Sequence, residues 1–334
     1  MKKYLSILVA LIVLSACEDN LQEPITDVEN IDLAQGELAF TNQRGETVEA
    51  YYHGELVSLE LIDGSYVLGG DMIIPESQLL FVEPPVLDGP GLESVGRTSG
   101  RWPNNTVYYT VNSNLPNQSR VTDAIAEWEA KTNLRFVQRT NQSDYIEFRS
   151  GSGCSSSVGR VGGRQFINLA SGCSTGNNIH EIGHAIGLYH EHTRGDRDDY
   201  VIVNFQNIQS GRANNFYTYI QRGTDGQDYT STLDFGSIMM YSSFAFSNNG
   251  QPTITKLDGS TFSVQRNALS SDDLAGINIM YPSGGGGGGP VYNNGQWYTI
   301  DGLRVYRYNN RWYYYTSSQG WREVVNINGV WYYA

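Results

Sequence analysis

Four of the chain's five histidines fall between residues 180 and 192. The stretch reads His180-Glu181-Ile182-Gly183-His184-Ala185-Ile186-Gly187-Leu188-Tyr189-His190. Imidazole is a nitrogen ligand. Residues four apart on a helix share a face, so His180 and His184 can offer two nitrogens to one metal ion. Gly187 has no Cβ and takes positive φ without penalty. The helix can stop there and swing His190 round as a third ligand. Three neutral imidazoles leave a tetrahedral Zn²⁺ one open position for water, the layout of a catalytic site. Glu181 sits beside the first ligand. It is placed to take a proton from the zinc-bound water, whose pKa the metal brings from 15.7 toward about 7. The same carboxylate can then hand the proton to a leaving amine. His192 reads as an exposed residue or a support for the site, and His53 as a surface histidine.

These side chains need elements to hold them. Asn177, or Thr175 before it, is the expected N-cap of the helix carrying His180 and His184. Upstream, Val121, Ala124, Ile125 and Trp128 fall on one stripe and predict a helix over Val121–Thr132. Strands are expected at Thr106–Val111, Leu134–Val137, Tyr145–Phe148 and Gln165–Leu169, with a glycine- and serine-rich stretch around Cys154. The result is a mixed sheet with at least one helix packed on it. The body ends near Tyr281-Pro282, followed by the flexible glycine run of residues 283–290.

The chain has 334 residues, 40% hydrophobic and 17% charged, which excludes a disordered or collagen-like chain. Its net charge of −13 is unevenly placed: residues 18–90 carry sixteen acids and one base. No basic stripe is present, so nucleic acid is excluded as a partner. Lys2 and Lys3 precede the apolar run Leu5–Leu14, too short to span a bilayer. This is an export signal, and it ends in Leu14-Ser15-Ala16-Cys17. That run resembles the bacterial lipobox, in which the cysteine is lipidated; an ordinary cleaved signal peptide is the alternative. The body is then exported, secreted or held to a membrane only through a lipid on Cys17. Cys154 and Cys173 remain as an even pair. They form either a disulfide worth about 3 kcal/mol in the chain-entropy model or two buried thiols.

The run continues His190-Glu191-His192-Thr193-Arg194-Gly195-Asp196-Arg197-Asp198-Asp199-Tyr200. With the histidines before it, it closely resembles the extended signature of the astacin family of zinc metalloendopeptidases. The resemblance covers about residues 100–282 and includes Ser237-Ile238-Met239-Met240-Tyr241, similar to the family's Met-turn. It implies a two-lobed α/β (α+β) zincin of the metzincin type, with a mixed twisted sheet and the zinc helix on the cleft floor. It further implies one zinc ion held by His180, His184 and His190, with Glu181 as the catalytic carboxylate. Met239 would support the metal site from below. Tyr241 would be an extra zinc ligand that swings away to stabilise the oxyanion. Glu191 would pair with the new N-terminal ammonium after activation. Arg194, Asp196, Arg197 and Asp198 would form a structural ion-pair cluster. Two departures stand out: Met240 replaces the histidine usual in the Met-turn, and one cysteine pair stands where the family commonly has two.

The leader contains Leu68-Gly69-Gly70-Asp71, similar to the family's F-x-G-D propeptide motif with leucine for phenylalanine. Asp71 would occupy the open zinc position as a zymogen switch. A Gly-Gly-Asp hairpin turn without metal contact is the other reading. Cleavage is expected between Glu93 and Arg101, where Gly96–Arg101 reads as exposed. Gln165, Phe166, Ile167, Asn168 and Leu169 are expected to form the edge strand that pairs with an extended protein or peptide substrate. The divisions are a signal at 1–17, an acidic propeptide at 18–97, a catalytic domain at 98–282, a linker at 283–290 and a C-terminal module at 291–334. That module holds nine tyrosines and four of the six tryptophans. It predicts a small all-β unit of hairpins, whose rings serve either as its core or as a surface for carbohydrate or a surface protein. The alternative for the whole chain is a lipoprotein adhesin with a non-catalytic zinc site.

Overall fold

The computed structural model describes residues 38–41, 43–52, 55–81 and 94–283, and five strands between residues 296 and 333. The export signal, Cys17, His53, Pro84, Pro85, Pro90 and the glycines after Ser283 lie outside the described residues.

The leader folds as a β-meander: β1 (Glu46–Tyr52), β2 (Glu55–Ile62), β3 (Ser65–Leu68) and β4 (Met72–Ile74), with β5 (Leu79–Leu80) returning to β1. Its period-two alternation decides which side is buried. On β2, Val57 and Leu59 are buried while Leu56 is exposed. The buried row joins Ala50, Tyr52, Leu68 and Ile74 in a cluster that also takes Val158, Tyr189 and Tyr219 from the body. The leader therefore buries its apolar face against the domain that it precedes.

A short strand β6 (Ser94–Gly96) leads into β7 (Thr106–Val111), α1 (Ser119–Lys131), β8 (Arg135–Gln138), β9 (Tyr145–Arg149), β10 (Cys154–Ser156), β11 (Arg164–Leu169) and α2 (Thr175–Ala185). One ten-stranded sheet runs β5-β1-β2-β3-β4-β10-β11-β9-β7-β8. β8, β7, β9 and β11 are mutually parallel, β10 is antiparallel to β11, and β4 lies parallel to β10. Val107, Phe136, Ile146, Phe148, Ile167 and Leu169 pack with the α1 stripe and with Ile179 and Ile182 of α2. The Trp128 indole on α1 donates to the Ile179 carbonyl at 3.1 Å, fixing the two helices together. The Cys154–Cys173 pair is a disulfide, tying β10 to the loop before α2.

Beyond α2 the chain is irregular, with 3₁₀ turns and the small sheet β12 (Val201–Val203) and β13 (Ile254–Lys256). A second core of Val201, Ile208, Phe216, Met240 and Ile254 supports this lobe. The last helix of the body is α3 (Ser271–Met280), which starts in a capping box of Ser270 and Asp273. After it, β14 (Gln296–Ile300), β15 (Leu303–Tyr308), β16 (Arg311–Thr316), β17 (Gly320–Ile327) and β18 (Val330–Tyr333) form a separate antiparallel meander. In it Val305 and Val324 are buried, while Tyr315 and Trp321 are exposed with rings 5.3 Å apart.

Two expectations fail. Gln165, Phe166, Ile167, Asn168 and Leu169 do not form an edge, because both hydrogen-bonding sides of β11 are taken, by β10 and by β9. The edge belongs to β10, within the glycine- and serine-rich stretch, and β4 of the leader covers it. Nor is Gly96–Arg101 exposed. The Arg97 amide donates to the Gly187 carbonyl at 2.8 Å, and its guanidinium donates to Val158 O at 2.8 Å. The Thr98 and Ser99 side chains donate to Asp225.

Gly176 in the first turn of α2 shows how closely the lobes meet. A Cβ there would lie 1.6 Å from the Arg266 carbonyl oxygen. Gly176→Ala should cost about 1–3 kcal/mol through overpacking. Gly172→Ala, where a Cβ meets nothing within 4 Å, should stay within about 0.5 kcal/mol. Calorimetric melting of the two variants checks the contrast.

Candidate metal centre

The N-cap of α2 is Ser174, not Thr175 or Asn177: its hydroxyl accepts from the Asn177 amide, and the Asn177 side chain accepts from the Ser174 amide. Asn177 thus completes a capping box instead of starting the helix. At the other end Gly187 has φ 113°, and Leu188 N–H closes on Gly183 O at 2.9 Å. His190 then comes alongside the helix, so the rings of His180, His184 and His190 lie 4.7–5.3 Å apart and fully buried.

His180 Nδ1 lies 2.8 Å from Ile238 O, and His184 Nδ1 lies 2.8 Å from Leu188 O. A carbonyl only accepts, so these Nδ1 atoms carry the proton and the Nε2 lone pairs face the centre. Asp71 occupies that centre. Its Oδ2 is 3.0 Å from His190 Nε2 and 3.3 Å from His180 Nε2, and its Oδ1 is 3.6 Å from His184 Nε2. A tetrahedron with bonds of about 2.0 Å has edges of about 3.3 Å. Burial pushes His180 down and His190 down to about 3, so these two rings are neutral, as ligands must be. Burial alone would raise Asp71; its carboxyl lies well below the usual carboxylate range only if positive charge stands among His190, His184 and His180. An anion against imidazole lone pairs is unfavourable unless a cation lies between them. Asp71 Oδ1, His184 Nε2 and both oxygens of Glu181 are buried without a hydrogen-bond partner. These four orphaned atoms and the tetrahedral spacing fit one zinc ion held by His180, His184, His190 and Asp71.

Glu181 is driven well above the ordinary carboxylate range, first by burial and then by the charge of Asp71. Met239 lies against α2 at Gly183, where a Cβ would come 2.7 Å from its sulfur. The Met-turn itself is pinned by Asp273, whose carboxylate accepts from Ser237 Oγ at 2.6 Å and Ile238 N–H at 2.9 Å. Asp273 went unread in the sequence; its S-x-x-D spacing after Ser270 signals a capping box and nothing more.

Tyr241 is buried, and its hydroxyl donates to the Gly69 carbonyl of the leader. Burial and the Asp71 charge raise its pKa well above the ordinary phenol value, so it acts as a donor. His192 is wholly buried and not exposed: its ring stacks on Tyr241 at 4.1 Å, and Nε2–H donates to Asn215 O at 2.9 Å. Glu191 accepts from the Asp234 amide at 3.0 Å and lies 3.7 Å from Arg194, with burial pushing it up to about 8. It faces a cavity of about 30 Å³ that Val95, Leu188 and Tyr229 also line. Arg194 grips Asp196 with two hydrogen bonds of 2.7 and 2.8 Å, and Arg197 pairs with Asp198 at 2.7 Å.

The sequence model of the Astacin peptidase family matches residues 94–282, and the chain belongs to that family. It is 40% identical to blastula protease 10 of Paracentrotus lividus over 234 residues, covering 64% of this chain and 38% of that protein. It is 41% identical to flavastacin of Elizabethkingia meningoseptica over 196 residues, covering 54% and 42%. Among solved structures it resembles high choriolytic enzyme 1, a hatching enzyme zinc-protease from Oryzias latipes. There the TM-score is 0.50 at 34% identity, over 54% of this chain and 92% of that one. The chain spans about four tenths of the length of these curated relatives.

Elemental analysis of the purified chain should find one zinc per chain, with little left in His184→Ala. Glu191 supplies a pH test. Its pKa of about 8 lies above the ordinary 4.5. The unfolded chain therefore releases this proton from about pH 4.5, while the folded chain keeps it until about pH 8. The group costs stability progressively as pH rises through that window. The Glu191→Gln precursor should melt increasingly above the native one from pH 5 to 8, and the gap should level off beyond; a gap independent of pH would contradict the burial argument.

Proposed function

We propose that the chain is a zinc endopeptidase made as a latent precursor that cuts extracellular proteins. The observation that carries this is the convergence of three buried imidazoles on one point, with an unpartnered buried carboxylate, Glu181, at its side. When bound there, zinc supplies Lewis acidity, polarising the scissile carbonyl and acidifying a water. Glu181 holds the proton taken from that water and returns it to the leaving nitrogen, a task suited to a carboxylate whose proton affinity burial has raised. Tyr241, once free of Gly69, donates its hydroxyl hydrogen bond to the developing oxyanion. An idle site would have no use for a carboxyl group buried without a partner, which counts against the adhesin reading.

In the latent form Asp71 fills the ligand position that water needs, and β4 covers the edge of β10, with Ser156 N–H donating to Asp71 O at 3.0 Å. Release of the leader frees that edge for an extended substrate strand. This assigns the pairing role to Cys154–Ser156. The described residues from Val95 to Arg101 are bound into the body, which moves the activating cut to the start of the Glu93–Arg101 interval. An amine created there would stand near the cavity that Val95 and Glu191 line, which supports Glu191 as its partner. The divisions at residues 17 and 282, export, lipidation of Cys17 and a binding role for the C-terminal module belong to the same reading. Among the described residues no helix is long and apolar enough to cross a membrane.

Activated protein should digest casein, and a chelator should stop it. Glu181→Ala should retain zinc and lose about 100- to 10,000-fold in rate. The Asp71→Ala precursor should digest casein without prior cleavage; unchanged latency would refute the switch.

A further inference from the structure

His192 is not one of the metal-facing side chains, yet it is fully buried beside them. Its ring lies 4.1 Å from the Tyr241 ring with 26° between the planes, so the two are stacked face to face. The other rings packed on Tyr241 are inclined to it: His190 by 52°, Phe216 by 77° and Phe246 by 45°. An inclined ring opposes a sideways shift of the phenol with its edge. A parallel face lets the phenol slide in its own plane, because offset stacking is no worse than full overlap. The imidazole is itself anchored. Its Nε2–H donates to the Asn215 carbonyl at 2.9 Å, and the same carbonyl accepts from Arg222 Nη2 at 2.9 Å. Arg197 donates to the His192 carbonyl at 3.2 Å and also to the Phe216 carbonyl. Packing alone would not select this residue. Its Nδ1 is buried without a hydrogen-bond partner, a cost that an apolar ring would avoid.

We infer that His192 is a positioning residue for Tyr241 in the activated enzyme: a fixed flat face along which the phenol slides to bring its hydroxyl to the developing oxyanion. This inference rests on the endopeptidase reading above, with Tyr241 as the oxyanion donor. In the precursor the hydroxyl is held by the Gly69 carbonyl. When the leader departs, that acceptor goes with it, and the phenol must shift to meet a new one. A donor helps the reaction only if it is aimed before the charge develops. Stacking on an anchored imidazole suppresses tilting of the phenol out of its plane and leaves the in-plane shift free. His192 touches neither substrate nor reacting atoms in this account; it acts only through Tyr241.

The test separates the ring from its hydrogen bond. Two variants of the activated chain are compared: His192→Phe keeps the flat ring, and His192→Gln keeps an N–H donor for the Asn215 carbonyl. Elemental analysis should find one zinc per chain in both; loss of zinc in either would make His192 a support of the metal and overturn the inference. On a peptide substrate His192→Gln should lose about 10- to 100-fold in kcat with KM changed less than about twofold, while His192→Phe keeps most of the native kcat. In the Tyr241→Phe background, which has no hydroxyl left to aim, His192→Gln should cost nothing further. Binding without turnover gives a second readout. A phosphinic peptide, whose tetrahedral P–O oxygen stands in for the oxyanion, should bind His192→Gln about tenfold more weakly than the native chain. It should bind Tyr241→Phe equally with and without His192→Gln. Losses that multiply in the double variant, or a His192→Gln chain as fast as the native one, overturn the inference. The endopeptidase reading is judged separately, by casein digestion with the activated native chain. Digestion together with multiplying losses leaves that reading standing and removes this one.

Discussion

Three buried imidazoles converging with a carboxylate on one spot form an arrangement that only a cation stabilises. Most of the body is arranged around enforcing it. The Ile238 and Leu188 carbonyls hold protons on the far side of two rings, which commits the near nitrogens to the centre. Ile238 is held in turn by Asp273, reaching from the first turn of α3. Leu188 is held by the chain reversal at Gly187. Each constraint is a backbone hydrogen bond, so the ligand geometry is tied to the fold of both lobes. This is the usual logic of metal sites, where outer hydrogen bonds fix the tautomer and aim of the ligands.

On the proposed reading, the leader uses the same surface that a substrate would. It extends the body's sheet by adding β4 to β10, buries its apolar face beside Val158, Tyr189 and Tyr219, and places an acid where the chemistry happens. Its grip is distributed. Asp71 contributes an electrostatic contact that depends on the metal, the apolar cluster contributes burial that does not, and Glu60 adds an ion pair shielded from solvent. On the latent-precursor reading, a device of this kind would stay shut under conditions that weaken any one of the three, and opening it would require cutting the chain.

What was readable from residues alone was local. The three ligands, the carboxylate beside them and the left-handed glycine follow from helical spacing and from what each side chain can do. Strands at 106–111 and 145–148 announced themselves by alternation, and the second runs one residue further, to Arg149. What was missed depends on neighbours distant in sequence. β10 is three residues long and rich in serine, so propensity hides it, and without it β11 looks like an edge. Arg97 and Ser99 look solvated until Asp225 and the Val158 carbonyl arrive from far along the chain. His192 has no apolar pattern around it to foretell its place under Tyr241. Arg212 reads as one more surface arginine because its partner lies in another segment.

The Leu68–Met72 segment shows two readings that exclude each other in sequence and coincide in space. Leu68 pairs with Met72 across an antiparallel ladder, so Gly69-Gly70-Asp71 is the loop of a hairpin. Gly69 and Gly70 have φ of 63° and 89°, where other residues are strained. The same loop reaches the metal ligands, and there is no room for side chains on the way: a Cβ on Gly69 would lie 2.5 Å from Met72 Cε, and one on Gly70 would lie 2.7 Å from Phe246. A hairpin is the one local shape that delivers a single carboxylate at its tip while both flanking strands remain hydrogen-bonded to the sheet. Because the tip is narrow, the Gly69 carbonyl falls within reach of the Tyr241 hydroxyl. On the proposed reading, one turn thereby occupies the metal's open position and the oxyanion donor together, and the glycine doublet is required by conformation and by space at once.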